Sequence, residues 1–517
     1  MNGSVSTQAS TARFVPRPTV TPIEALMQQA RSWPESTAFI FHEEVWTYRR
    51  LAHEVERVAR GLAVSGVKPG DRVVLHMMNR PEMLVSYYAC FRLGAIAAPL
   101  RTACTFAELA PMLHRLQPTL YIGESSLYPN VAAVDAAILP REKRFIVDDA
   151  DPNGVQPWNV LKQAIQADLP TPASDKPAVL LNTSGSTGQP KFVVHTPNTL
   201  AAMTDLGGQN LGLSANDVIV FQLTLAHAAG LFCSLIFVRL GLPFIMLQSA
   251  DADIVLRNIE RYRGTWMIGF PYQYAALLEA QQAMPRDLSS LRMCLTGADV
   301  CPVELQKRVR SVLRAPLYNI WGATEVFGQL TFGLQPGPVV RITEEAQVRL
   351  VDENGGDVAQ GEVGELLIGG AGVFAGYWND PAATVQSLSA GWYHTGDMMQ
   401  RGEGNELRFV SRKKDIIIRG GTNISPIEVE EALVACHPAV QEAAVVGKPD
   451  PVLGQRVFGF VRLATGAKEG VTAEILQNVA QRLASYKVPE ALCVLDTLPR
   501  NQLSKVDRRQ LEAIAAR

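Results

Sequence analysis

The stretch "LLNTSGSTGQPKFVVHT", residues 180–196, places a glycine-rich polar loop with one lysine between two apolar runs. Its glycines let backbone amides turn toward an anion, while the hydroxyls and the lysine add donors and a mobile positive charge. It is not a Walker A motif, because the lysine follows Pro190 and precedes a strand-like run. A surface hairpin has the same composition, so the loop alone leaves both interpretations open. The candidate phosphate ligands are Thr183, Ser184, Gly185, Ser186, Thr187, Gly188 and Lys191.

The sequence around this loop alternates helical patterns with short β-branched runs. Residues 48–66, "YRRLAHEVERVARGLAVSG", have the period of an amphipathic helix, and residues 72–78, "RVVLHMM", are typical of a buried strand. The same rhythm continues through "DVIVFQL" (217–223) and "LRMCLTGA" (291–298). Strands that alternate with helices predict βαβ units and a mostly parallel sheet. The fold class is therefore α/β, with a large N-terminal domain of parallel-type α/β subdomains.

The pattern changes twice in the last third of the chain. From about Val348 short strands and glycine turns predict a small β-rich subdomain, and after "SRKKD" (411–415) the sequence indicates an α+β C-terminal domain. We therefore predict a disordered leader over 1–20, an N-terminal domain over 21–412 and a C-terminal domain over 413–517.

Composition excludes several functional classes. With Lys+Arg 48 against Asp+Glu 50, the formal charge of -2 leaves no basic footprint for nucleic acid. The seven scattered cysteines form no CxxC pair, which argues against a disulfide framework or zinc site and favours the reducing cytoplasm. The polar N-terminus lacks the apolar segment of a secretion signal. The longest apolar run, 231–247, contains Arg239 and Pro243, so we expect a buried helix and strand and no membrane span.

Four further motifs follow the opening loop, in the order found in the adenylate-forming enzymes. They are "YNIWGATE" (318–325), "GWYHTGD" (391–397), "SRKKDIIIRGGTNISPIEVEEAL" (411–433) and "LPRNQLSKVDR" (498–508). Over residues 21–509 the chain resembles this superfamily of AMP-dependent synthetases and ligases, and in particular its free-standing acyl-CoA synthetases.

This resemblance implies a reaction in two steps. A carboxylate attacks the α-phosphate of ATP and expels pyrophosphate, and a nucleophile then displaces AMP from the acyl-adenylate. The opening loop would close over the β- and γ-phosphates, and Glu325 would hold Mg²⁺ with Thr324 near the α-phosphate. Trp321 would pack on adenine. The other nucleotide contacts implied are Gly297, Ala298, Asp299, Gly322 and Ala323.

Three charged residues acquire roles from the same resemblance. Asp397 would accept both ribose hydroxyls and Arg412 would contact the ribose. Lys505 would bridge the substrate carboxylate and the α-phosphate, a task that suits a compact charge on a long stem. Taken singly, Asp397, Arg412 and Glu325 are equally compatible with solvated surface charges.

The resemblance also implies a mobile C-terminal domain. In the superfamily this domain rotates between the two steps, about a residue that here falls on Lys414. A run such as "SRKKD" is usually a polar linker, but its place at a change of composition favours a hinge. After rotation Gly420, Gly421 and Thr422 would replace Lys505 and leave room for a thin pantetheine arm.

The acyl pocket is predicted from neighbours of these motifs. His227 takes the position of a residue along the carboxylate channel, although a lone histidine is more often structural. The adjoining sequence "LAHAAG" (225–230) lacks the aspartate that holds an α-ammonium group in peptide synthetases. A non-amino-acid carboxylate, whether fatty, alicyclic or aryl, is therefore favoured. Predicted pocket residues are His227, Phe232, Trp266, Gly269, Phe270, Gly297, Gly322, Phe327 and Gly328.

Three departures from the family pattern stand out. Phe192 and Ser504 replace glycines beside Lys191 and Lys505, and the segment 326–350 lacks the usual glycine-punctuated turn. We expect Phe192 to stiffen the loop and the altered segment to indicate an unusual acyl or acceptor site.

The acceptor of the second step remains open. Thioester formation with coenzyme A is the commonest outcome for a free-standing member of this length. The alternatives are amide formation with an amine or amino acid, as in coronafacate-type ligases, and loading of a carrier-protein thiol. A non-catalytic nucleotide-binding regulator is disfavoured by the retained charges. The chain is also compatible with a homodimer.

Overall fold

The computed structural model describes residues 20–148, 155–164, 166–183, 191–299, 301–464, 466–467, 470–501 and 505–516. The predicted leader, except Val20, lies outside these residues, as do Ser184, Gly185, Ser186, Thr187, Gly188 and Ser504.

The first part of the chain builds a seven-stranded sheet in the order β7-β6-β5-β3-β4-β8-β9. Its strands pair in parallel except for the β8–β9 hairpin, and β3 to β5 are buried along nearly their whole length. Such buried strands carry continuous apolar runs because helices cover both faces. The elements are α1 (Pro22–Ser32), β1 (Thr37–Phe41), β2 (Glu44–Thr47), α2 (Tyr48–Val64), β3 (Arg72–His76), α3 (Pro81–Leu93), β4 (Ile96–Pro99), α4 (Phe106–Leu116), β5 (Leu120–Gly123), α5 (Pro129–Ala132), β6 (Arg144–Ile146), β7 (Gln156–Pro157), β8 (Val179–Thr183) and β9 (Lys191–His195).

A second sheet has the order β14-β13-β12-β10-β11-β1-β2, so the first hairpin of the chain completes it. The apolar run 231–247 forms a buried helix and strand, as predicted. The elements are α6 (Pro197–Asn210), β10 (Ile219–Phe221), α7 (Ala228–Leu240), β11 (Phe244–Met246), α8 (Ala252–Tyr262), β12 (Trp266–Gly269), α9 (Pro271–Ala283), β13 (Met293–Thr296), α10 (Val303–Val312) and β14 (Leu317–Asn319).

The third sheet is antiparallel, in the order β15-β16-β21-β20-β18-β17 with β19 beside β20. It contains the predicted β-rich unit but begins earlier than Val348, at Leu330, and it shares its core with the first two sheets. Its elements are β15 (Leu330–Phe332), β16 (Val339–Ile342), β17 (Val348–Val351), β18 (Val363–Ile368), α11 (Pro381–Ser387), β19 (Leu388–Ser389), β20 (Trp392–Arg401) and β21 (Glu406–Arg412).

The last part of the chain has its own five-stranded sheet and two hydrophobic clusters of its own. The hydrophobic core changes between Leu407 and Ile417, and the boundary predicted at 412 and 413 falls in this interval. The elements are β22 (Ile417–Arg419), β23 (Thr422–Ile424), α12 (Pro426–Cys436), β24 (Val440–Asp450), β25 (Gly454–Leu463), α13 (Val471–Ala480), β26 (Leu492–Val494) and α14 (Arg508–Ala515). The α/β class with parallel sheets, a β-rich unit and an α+β C-terminal part is confirmed.

The structure explains why a phenylalanine stands at position 192. It lies on β9 and is 1% exposed, in a hydrophobic cluster with Leu180 and Val194. The guanidinium of Arg115 lies 5.6 Å from its ring. Phe192 therefore anchors the strand that follows the opening loop, which a glycine could not do.

Candidate active site

A cleft of about 1760 Å³ lies where the parallel strands end and the C-terminal part meets them. Leu223, Gly269, Gly297 and Ile320, which follow or end the strands of the second sheet, line one wall, and Lys505 of the C-terminal part lines another. The carboxyl ends of parallel strands are the usual place for a ligand in an open α/β sheet. The cleft thus gathers residues that are far apart in the sequence.

Asp397 lies in the cleft and is almost fully buried at the end of a three-residue network. Its Oδ2 accepts a hydrogen bond from Trp321 Nε1 at 2.8 Å, and its Oδ1 is 2.8 Å from Arg412 Nε. Burial raises the pKa of Asp397, while the positive charge of Arg412 and the indole bond oppose this rise. Arg412 also donates to the carbonyl of Thr395. The indole, carboxylate and guanidinium are therefore held together by direct contacts.

Glu325 and Lys191 meet at a shared aromatic ring. The hydroxyl of Tyr377 donates to Glu325 Oε1 at 2.8 Å, and Lys191 Nζ lies 4.7 Å from the centroid of the same ring. Glu325 is only 7% exposed. Burial is the main cause of the raised pKa of Tyr377, and the negative charge of Glu325 adds to this rise. The lysine that follows the opening loop and the candidate metal ligand thus contact the same tyrosine, one at its ring and the other at its hydroxyl.

A buried histidine fixes the backbone between these groups. His195, at the end of β9, lies 2.8 Å through Nε2 from the carbonyl oxygen of Thr324. Because a carbonyl only accepts, Nε2 carries the proton. Burial lowers the pKa of His195 to about 4, so the ring is neutral at physiological pH. This bond ties the strand after the loop to the segment of Thr324 and Glu325.

The turn after β13 brings Gly297, Ala298 and Asp299 to the cleft. A Cβ at Gly297 would lie 2.9 Å from the carbonyl oxygen of Ile320, so a larger residue would displace the backbone. Ala298 has a φ of 66°, in the left-handed region that favours glycine. Such strain is commonly found at functional sites. Gly322, Ala323 and Thr324 line the neighbouring wall.

His227 is the N-cap of α7 and faces the cleft. Its Nδ1 accepts the backbone N–H of Ala229 at 3.2 Å, which leaves the proton of the neutral ring on Nε2. Burial, with help from the charges of Arg101 and Lys505, lowers the pKa of His227 to about 3. The ring packs edge-on against Phe270 at 5.9 Å. His227 is therefore both a structural cap and a neutral hydrogen-bond donor in the cleft.

Two of the predicted acyl-pocket residues, Trp266 and Gly328, do not line the cleft. Trp266 is fully buried away from the cleft, because its indole donates to the carbonyl of Leu211 and packs on Phe237. Gly328 has a φ of 85°, and a Cβ there would meet the backbone of Gly207 at 2.7 Å, so this glycine serves a close backbone contact. The predicted residues that do line the cleft are His227, Phe232, Gly269, Phe270, Gly297, Gly322 and Phe327.

Lys505 reaches the cleft from the C-terminal part. Burial lowers its pKa, and the positive charges of Arg412 and Arg101 add to this effect, whereas Asp299 and Asp397 oppose it. Its backbone N–H donates to Asn501 Oδ1 at 3.3 Å. The ammonium group of Lys505 thus lies in the combined electrostatic field of two aspartates and two arginines.

Lys414 lies at the cleft, whereas the predicted acceptor loop lies outside it. Lys414 belongs to a short 3₁₀ turn, Lys413–Asp415, between β21 and β22, and lines the cleft. Gly420 and Gly421 form the turn between β22 and β23 with φ of 57° and 79°. Neither they nor Thr422 line the cleft in this arrangement. The structure therefore brings Lys505 to the site and leaves the acceptor loop outside.

Sequence profiles identify the family. A profile described as AMP-binding enzyme matches residues 26–378, and one described as AMP-binding enzyme C-terminal domain matches residues 428–505. The chain belongs to the AMP-binding enzyme family.

This AMP-binding enzyme is similar to acid–CoA ligases along almost its whole length. An indoleacetate–CoA ligase of Aromatoleum aromaticum is 33% identical over 499 residues, which cover 94% of this chain and 96% of the relative. A solved o-succinylbenzoate CoA synthetase of Bacillus subtilis, in complex with its acyl-adenylate, is 29% identical with a TM-score of 0.81 and covers 94% of this chain and 97% of its own. The amide bond synthetase McbA of Marinactinospora thermotolerans has a TM-score of 0.83 at 24% identity, with 95% and 99% covered, which shows a shared fold alone.

Two residues of this AMP-binding enzyme were missed at the sequence level. Tyr377 connects Glu325 with Lys191, and Arg101 follows β4 and lines the cleft. The position of Arg101 at the carboxyl end of a parallel strand was a usable signal. Nothing in the sequence distinguished Tyr377 from the other eleven tyrosines.

Glu325 is the candidate Mg²⁺ ligand of the cleft. Among the described residues, no group of three or more His, Cys, Asp or Glu side chains could enclose a metal ion. Glu325 fits Mg²⁺ nevertheless, because this ion usually keeps its waters and binds through one or two carboxylates and the substrate phosphates. In the same described ranges, no helix is long and apolar enough to cross a membrane.

Proposed function

We propose that this chain activates a non-amino-acid carboxylic acid with ATP and transfers the acyl group to the thiol of coenzyme A. The carrying observation is that Lys505, from the C-terminal part, lies in the same cleft as Asp397, Arg412 and Glu325. The similarity to acid–CoA ligases over more than nine tenths of the chain supports the choice of acceptor.

In the first step a carboxylate oxygen attacks the α-phosphorus of ATP, and the bond to the β-phosphate breaks with its electron pair on pyrophosphate. Asp397 and Arg412 hold the ribose, and Trp321 packs on the base. Glu325 would hold Mg²⁺, which would supply positive charge to the phosphates. Lys505 neutralises the charge that builds up between carboxylate and α-phosphate. The Nε2–H of His227 donates to the carboxylate.

In the second step the C-terminal part rotates about Lys414 and brings the turn of Gly420 and Gly421 to the cleft. Two observations support this movement. The hinge lies between two separate hydrophobic cores, and Ile418 and Val452 beside the turn are 53% and 85% exposed in the present arrangement. The thiolate then attacks the acyl carbon, and AMP leaves with the electron pair of the broken C–O bond.

The acyl group is an aryl, alicyclic or fatty one. Phe232 and Phe327 pack against each other at 5.8 Å, Phe270 lines the same cleft, and the stretch "LAHAAG" around His227 has no aspartate for an α-ammonium group. A concave apolar wall with few polar groups selects by shape and apolar area.

The test incubates the full chain with ATP, Mg²⁺ and a panel of acids, namely indoleacetate, o-succinylbenzoate, octanoate and phenylalanine. Pyrophosphate reports the first step, and mass spectrometry with coenzyme A or with an amino-acid mixture identifies the product. We expect pyrophosphate with an apolar acid and none with phenylalanine, followed by an acyl-CoA. An acyl amide instead of a thioester would show that the acceptor is an amine and not coenzyme A. ATP binding without pyrophosphate release for any acid would refute the proposed function.

A further inference from the structure

Arg101 presents a positive charge at the reaction centre that the proposed mechanism does not use. It follows β4 and lines the cleft. Its Nη2 makes one long contact, 3.4 Å, with the carbonyl of Asn182, the residue before Thr183. Its Nε is buried and has no hydrogen-bond partner within the described parts of the chain. Arg101 therefore lies next to the end of β8 and makes a single side-chain hydrogen bond to the described residues, although a guanidinium has five donors.

No carboxylate neutralises this arginine among the described residues. Burial is the main influence on Arg101 and lowers its pKa, with Cys104 as the only opposing group. A half-buried cation without a counter-charge is destabilising, so a protein retains one where a ligand supplies the missing anion.

Arg101 lines the same cleft as the two other donors, His227 and Lys505. Its charge acts on His227 and on Lys505 alike and lowers the pKa of both groups. The cleft thus presents a guanidinium, an imidazole N–H and an ammonium group, donors that suit a carboxylate with two oxygens. Lys505 belongs to the C-terminal part, whereas Arg101 and His227 belong to the N-terminal sheets.

We propose that Arg101 is a fixed second cation that binds the carboxylate of the acyl substrate and remains at the acyl carbon after Lys505 has left. This inference rests on the proposed function. In the first step Arg101 and His227 hold the carboxylate while Lys505 also contacts the α-phosphate. In the second step the thiolate forms the S–C bond and the C=O electron pair moves to oxygen. The resulting oxyanion faces Arg101, until its electrons return and the C–O bond to AMP breaks.

A fixed cation would stabilise negative charge in the second step, when Lys505 has moved away. Withdrawal of Lys505 removes the positive charge that stabilised the acyl oxygen, yet the tetrahedral intermediate again needs charge stabilisation there. A guanidinium on the immobile side provides it in both arrangements and demands no reorganisation.

The experiment compares R101Q, R101K and K505A with the parent chain in each step separately. The control is R141Q, because Arg141 is an exposed arginine of the same part of the fold. Pyrophosphate release measures the first step with the best acid of the panel above. Transfer from the chemically prepared acyl-adenylate to coenzyme A measures the second, and thermal unfolding measures stability.

We expect R101Q to raise the KM for the acid and to slow transfer from the adenylate, each by about tenfold or more. R101K should recover part of both losses, K505A should lose only the first step, and R141Q should match the parent. R101Q should unfold at the parent's temperature or above it, because its removal relieves an uncompensated charge.

Two results would overturn the inference while the proposed function stands. One is an R101Q enzyme within twofold of the parent in both steps. The other is a loss in R101Q accompanied by a lower unfolding temperature and no recovery in R101K, which assigns a structural role. A parent chain that releases no pyrophosphate with any acid would refute the function itself, and the inference with it.

Discussion

The two sides of the cleft are organised differently. On the N-terminal side Trp321, Asp397 and Arg412 hold one another within 2.8 Å. On the C-terminal side the ammonium group of Lys505 has no hydrogen bond or ion pair to the described residues, and only its backbone is held, by Asn501. The side chains on the N-terminal side are therefore held by one another, whereas the Lys505 side chain is not held by the described residues. Binding and chemistry should consequently respond separately to mutation.

Replacing Lys505 should have the largest effect on the rate of the reaction. Lys505→Ala should slow pyrophosphate release by about 100-fold or more, because charge stabilisation at the transition state is lost, and should spare transfer from supplied acyl-adenylate. Lys487→Ala is the matched control, since Lys487 pairs with Glu428 elsewhere on the C-terminal part. Equal loss of both steps in the Lys505 variant would contradict the contrast between the two sides.

A change on the fixed side should weaken nucleotide binding instead. In Asp397→Asn the amide places a donor against the indole N–H or the guanidinium and removes the negative charge. We expect the KM for ATP to rise by about tenfold to 100-fold, as for the loss of hydrogen bonds to a charged group. Calorimetric titration with ATP measures this change. Unaltered ATP affinity would show that Asp397 does not hold the ribose.

Restricting the connection between the two sides should act on the second step. Lys414 lies in a 3₁₀ turn, whose φ is close to that of proline, so Lys414→Pro suits the present arrangement and hinders departure from it. We expect normal pyrophosphate release and about tenfold slower acyl transfer, which corresponds to a barrier higher by roughly 1.4 kcal/mol. Lys414→Ala removes the charge without fixing φ and should behave like the parent. If overall turnover of the proline variant is unchanged, the pivot lies elsewhere.

The smallest effect concerns the acid stability of the fixed side. The folded chain keeps His195 neutral with a pKa of about 4, below the usual 6.5, so its contribution is complete above 6.5 and is lost as pH falls toward 4. At pH 5.5 this one group should cost roughly 1.4 kcal/mol of unfolding free energy. Urea unfolding at pH 7.5 and 5.5 checks this, and His195→Gln should show a correspondingly smaller difference between the two pH values. An identical difference in both proteins would contradict the neutral His195.

Sequence patterns revealed the fold well because apolar runs, glycine turns and composition shifts are local. The motifs also identified Asp397, Arg412 and Lys505, which the structure brings to one cleft. Local patterns could not tell that Trp266 turns inward to Leu211, because the direction of a strand residue depends on the sheet around it. They also missed Tyr377, whose role depends on contacts across long sequence separations.

The network at Asp397 has a consequence for the sugar. Each carboxylate oxygen has two acceptor positions. Trp321 occupies one position on Oδ2, and Oδ1 is paired with Arg412 by charge but accepts no hydrogen bond from the described residues, so both oxygens keep a free acceptor position. A ribose with its two neighbouring hydroxyls satisfies both, whereas a 2′-deoxyribose leaves one acceptor of a buried carboxylate without a donor, which is costly. With Asp397 at the ribose as proposed, we expect ATP to be preferred over its 2′-deoxy analogue, because the deoxyribose donates one hydrogen bond fewer.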